Sequence, residues 1–134
     1  MSQPFMEHPT GDFDSAAEAM GDAIARLRRE PEWPGAIVFG AQGFGGKPDT
    51  YQIAEVRLLR HSLSVDDGPL DLPAIRAAAR VSAMAIVPFG TEYSLESATP
   101  SEAASILDAI FRRHYGLRPF PDEGDDYAVG AEWS

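Results

Sequence analysis

The stretch from Thr99 to Gly116 carries helix punctuation at both ends. Thr99 is a capping residue, Pro100 stands at the first helical position, and Glu102 completes a capping box three residues after the threonine. Ala103, Ile106, Leu107, Ile110 and Phe111 recur at helical spacing and make one apolar face. Gly116 is the expected C-terminal stop. The pattern predicts a helix over 100–115. A helix with a single apolar face must bury it against a second layer, and the rest of the chain has to supply that layer.

A second amphipathic helix is expected over 15–30. Ser15 is its cap, with Glu18 at capping-box spacing, and Ala16, Met20, Ala23, Ile24 and Leu27 form its apolar stripe. Arg26, Arg28 and Arg29 fall in the last turn, where cations suit the helix dipole, and Pro31 ends it. A short helix is expected over 72–82, capped by Asp71 with Pro73 in its first turn. Between and after these lie strand patterns at 36–40, 51–59, 83–89, 92–97 and 127–133, with 61–65 a further strand or a continuation of 51–59. The segment 41–50, with three glycines and a proline, reads as a loop. Gly90-Thr91 reads as a hairpin turn. Tyr127, Val129, Ala131 and Trp133 alternate, as the inward face of a last strand does.

Short connections between neighbouring strands imply a mostly antiparallel sheet. The expected fold is α+β, with five to six strands and two long helices and one short helix packed on the sheet. Residues 1–13 read as a loose tail and 14–134 as a single domain. With 134 residues the chain buries roughly two thirds of its unfolded surface, enough for one core.

Composition narrows the function classes. The absence of cysteine excludes disulfides, thiolate metal sites and a cysteine nucleophile, and it agrees with a reducing compartment. The N-terminal residues lack the basic start and apolar run of a signal peptide, and no stretch reaches the length of a membrane span. A cytoplasmic location is expected. The net charge of −10 repels nucleic-acid backbones and anionic lipid surfaces and favours encounter with a basic partner. The competing reading is that the acidity serves solubility alone.

Few motifs carry chemistry. Ala41-Gln42-Gly43-Phe44-Gly45-Gly46-Lys47 resembles a degenerate P-loop, but Pro48 stands where the magnesium-binding hydroxyl belongs and no helix follows. No nucleotide is therefore expected there. Phe44, flanked by glycines, is instead a candidate partner contact. His8, His61 and His114 have no ligand at metal spacing within a helix. No catalytic residue, metal site or cofactor is assigned. The carboxylates gather in two places. Glu92 and Glu96 are expected on one face of a strand, and Asp122, Glu123, Asp125 and Asp126 crowd a five-residue run that lacks calcium-loop spacing. These acids, with Phe44 and Trp33, are the candidate surface for a basic protein partner; a solvated charged face is the alternative.

Size, acidity and the closing pattern of helix, Arg118-Pro119 and terminal Trp133 resemble small immunity proteins of bacterial toxin systems. That resemblance implies binding and blocking of a cognate toxin inside the producing cell. The element order through Tyr115 also resembles class I type III secretion chaperones, acidic homodimers that hold an effector segment. The extra C-terminal strand and the long glycine-rich segment depart from that pattern. The leading expectation is an immunity or antitoxin-type inhibitor, as monomer or homodimer. A secretion chaperone and a small-molecule enzyme or sensor are the alternatives.

Overall fold

The computed structural model describes residues 6–8, 15–29, 35–45, 51–66, 68–118 and 127–133. Among the described residues eight strands form one sheet: β1 (Met6–His8), β2 (Ala36–Gly45), β3 (Tyr51–Leu59), β4 (Ser62–Val65), β5 (Val87–Phe89), β6 (Glu92–Ser94), β7 (Leu117–Arg118) and β8 (Ala128–Trp133). Their order is β1-β8-β2-β3-β4-β6-β5, with β7 also on β2, and every pairing among the described residues is antiparallel. The helices are α1 (Ala16–Arg29), α2 (Leu72–Ala79) and α3 (Pro100–Ala109). The α+β class, the antiparallel sheet and the three helices are those the sequence implies. Each expected strand stretch contains a strand, 83–89 only in its last three residues, and β1 and β7 are added to them.

Both long helices form for the reasons written in their ends. Thr99 Oγ1 accepts from the Glu102 N–H at 3.1 Å, and Glu102 Oε1 accepts from the Thr99 N–H at 2.9 Å. The Glu18 N–H donates to Ser15 Oγ at 3.1 Å. All the residues assigned to the two apolar faces are buried. They pack side by side on one face of the sheet, over Ile37, Phe39 and Ala41 of β2, Ala54, Val56 and Leu58 of β3, and Val129 and Ala131 of β8. The alternate residues of the same strands, among them Gln42, Ile53, Glu55, Arg57 and Glu132, are exposed on the opposite face. One covered and one open face is the ordinary solution for an antiparallel sheet.

Several expectations are corrected. Met6–His8, inside the stretch read as tail, pairs with Val129–Ala131. Ala41–Gly45, read as loop, continues β2, because β3 bonds it on one side and β8 and β7 on the other. Gly43 makes this possible: a Cβ there would overlap the Arg118 carbonyl oxygen and press on Tyr127 Cβ at 3.3 Å. The expected strand 83–89 is a 3-10 turn at Ala83–Ala85 followed by a short strand, and it leaves Met84 and Phe89 exposed. The short helix stops at Ala79, where Arg80 turns left-handed at φ 58°. The last turn of the long helix widens into a π segment, Ile110–His114, in which the Tyr115 N–H reaches the Ile110 carbonyl at 3.1 Å.

Strand β5 closes one side of the sheet and is protected against extension. Phe89 and Glu92 pair across the two-residue turn, in which Gly90 has φ +63°. The backbone groups of Pro88 therefore point away from β6, and proline has no N–H to offer there. The next outward group, the Ile86 carbonyl, accepts from Arg76 Nε at 3.2 Å and Nη2 at 2.7 Å. A further strand finds no donor at Pro88 and an acceptor already engaged at Ile86.

Arg28 ties the helix layer to the far half of the sheet. Its guanidinium donates to the carbonyls of Arg60 (3.1 Å), Leu95 (3.1 Å) and Ala98, and burial lowers its pKa from the ordinary arginine value. Arg60 Nε answers with a bond to the Leu27 carbonyl at 3.3 Å.

Candidate functional site

The acidic run Asp122, Glu123, Asp125 and Asp126 lies outside the described residues, as does Trp33. The two ends of its segment are placed. On one side Arg118 of β7 pairs with Phe44; on the other, Ala128 of β8 pairs with Gln42. The chain thus leaves β2 and returns to it two residues away, across Gly43.

The returning end is anchored by chemistry. Tyr127 is wholly buried, its hydroxyl donates to Asp108 Oδ1 at 2.7 Å, and its ring packs against Phe111 with centroids 5.7 Å apart. Arg112 donates through Nε to the same Asp108 oxygen at 3.0 Å and lies 4.9 Å from the Tyr127 ring centroid. One carboxylate therefore holds an aromatic hydroxyl and a guanidinium together, and the guanidinium covers the ring. Nothing in the local sequence announced this cluster, because Tyr127 and Asp108 are 19 positions apart.

The other expected contact residues do not converge. Glu92 and Glu96 do not share a strand face: β6 ends at Ser94, whose hydroxyl accepts from the Glu96 N–H at 3.3 Å in the turn that follows. Glu92 sits half-buried at the hairpin end opposite Phe89, and Glu96 is exposed. The backbone of Phe44 belongs to β2, opposite Tyr51, rather than to a loop; its side chain is outside the described set.

The chain carries 21 acidic and 11 basic residues, a net charge of −10, and four of the acids crowd residues 122–126, between β7 and β8.

A shallow groove of about 390 Å³ runs between α1 and α3, where Gly21 comes within reach of Ala104. Small residues line it, including Ala17, Pro100 and Ser105, and Glu18 is its charged group. Among the described residues no three His, Cys, Asp or Glu side chains gather in a metal-holding group, and no helix is long and apolar enough to cross a membrane. Comparison with protein-family models, with curated proteins and with solved structures returned no match.

Proposed function

We propose that this chain is a protein-binding module that docks a basic protein through its acidic segments, acting as an immunity or antitoxin-type inhibitor that occludes a bacterial toxin. The observation that carries the reading is the crowding of Asp122, Glu123, Asp125 and Asp126, in a chain of net charge −10, between two placed ends, Arg118 paired with Phe44 and Tyr127 bonded to Asp108. A net negative field of this kind steers a cationic partner.

The test is affinity capture from the host lysate with identification of the partner, followed by association kinetics at two salt concentrations. The on-rate is expected to fall as salt rises, since screening acts within about 8 Å at physiological ionic strength. Exchanging Asp125→Asn and Asp126→Asn together should lower the on-rate if the pair lies at the rim, and raise the off-rate if it is buried against Arg or Lys. A partner whose association ignores both salt and the double exchange sinks the proposal. The acidity would then serve solubility.

A further inference from the structure

We propose that the open face of the sheet is a self-association surface, on which a second copy of this chain packs face to face in a two-fold dimer. This inference stands apart from the proposed toxin-blocking role. The first observation is a glycine that the fold does not require. Gly40 lies inside β2, paired with Glu55 on one side and with Gly130 on the other, so two glycines face each other in the middle of the sheet. Gly40 has no positive φ, and a Cβ built on it meets nothing within 4 Å. An interior strand glycine weakens a strand, and it is useful where another surface approaches closely.

The second observation is self-complementarity. An isologous interface matches each residue to its mirror position about the two-fold axis. Val56, Phe39 and Ala131 form one row across β3, β2 and β8. With the axis between the faces and along that row, Glu55 of one copy meets Arg57 of the other, and the reverse contact forms by symmetry. On β2 the same operation sets Val38 of one copy over Gly40 of the other, so a side chain fills the space the glycine leaves. On β3 it sets Ile53, 57% exposed, against Leu59. One axis position thus matches acid to base, side chain to gap and apolar to apolar.

Strand addition at β5 is disfavoured by the missing N–H of Pro88 and by the Arg76 bonds to the Ile86 carbonyl. The face offers about ten residues per copy, fewer than the 20–30 of a standard interface, so the dimer is a weak one that dissociates on dilution through the micromolar range. The charge pairs set register more than strength.

Sedimentation equilibrium of the full chain, from low to high micromolar concentration, tests this. The mass should rise from one chain to two. Glu55→Arg and Arg57→Glu, made singly, each set like charges together and should weaken association about tenfold or more; the two combined should restore it. Gly40→Val should abolish the dimer without lowering the melting temperature of the monomer, because a Cβ at this position meets nothing within 4 Å in its own chain. A one-chain mass at all concentrations overturns the inference and leaves the face to a different protein. An association indifferent to Gly40→Val and to the charge exchanges overturns it equally.

Discussion

Two glycines of the same strand separate two uses of the residue. Gly43 has a backbone neighbour where its Cβ would be, the Arg118 carbonyl, and backbone does not yield as a flexible side chain does. Gly43→Ala should therefore cost about 1–3 kcal/mol, as overpacking does. Gly40→Ala, with open space and no special φ, should be neutral or stabilise by up to about 1 kcal/mol when melted at concentrations where the chain is single. Parallel urea melts of the two variants decide the matter, and equal effects would mean that the Arg118 approach is misplaced. Arg28 is a third residue-scale case. Removing a charged donor from three carbonyls should cost about 3 kcal/mol in Arg28→Ala, since hydrogen bonds to charged groups contribute about 1.5–3 kcal/mol each and part is recovered by water. Arg28→Lys should recover little, because a compact ammonium does not span the fork. A lysine variant as stable as the parent in urea would contradict this.

At the scale of elements, α3 is the part most open to quantitative test. Leu107→Ala should cost about 2–5 kcal/mol, for its side chain is fully buried between helix and sheet. Thr99→Ala should cost about 1 kcal/mol through the capping box. Near-neutral urea melts for Leu107→Ala would reverse the face assignment. The helices were legible because their signals are local: a cap, a proline and a spacing within one window of sequence. The strands were legible where alternation is clean, as in β3 and β8. Ala41–Gly45 was not, because glycine and alanine carry no strand preference and the segment is extended only through ladders to β3, β7 and β8. The strands β1 and β7 are too short to leave a pattern. The 83–89 run looked buried because it is apolar, yet α2 and α3 leave Met84 and Phe89 uncovered. The site divides likewise. The acidic run is plain in sequence, but its anchors, Gly43 beneath Arg118 and Tyr127 on Asp108, are contacts between distant positions.

For the molecule as a whole, a net charge of −10 sets a self-repulsion that salt screens. Added salt should therefore raise the melting temperature by a few degrees, about the shift that 1 kcal/mol produces in a domain of this size. Calorimetry at low and high salt checks this, and an unchanged melting temperature would mean that the acids do not strain the fold. Amide exchange should be slowest in β2, which is paired on both sides along most of its length, and fastest in the β5–β6 hairpin.

The split pairing along β2 makes the molecule tolerant of rewriting at one point. A segment that leaves beside Phe44 and returns beside Gln42 has its endpoints set by the strand and not by its own length. Doubling such a segment costs only about 0.6 kcal/mol in closure entropy. A graft at residues 119–126 that keeps Gly43, Arg118 and Tyr127 should therefore leave the ladders of β7 and β8 to β2 in place. A graft of double length that still melts within about 1 kcal/mol of the parent would establish the position as a socket for new recognition sequences on an unchanged scaffold.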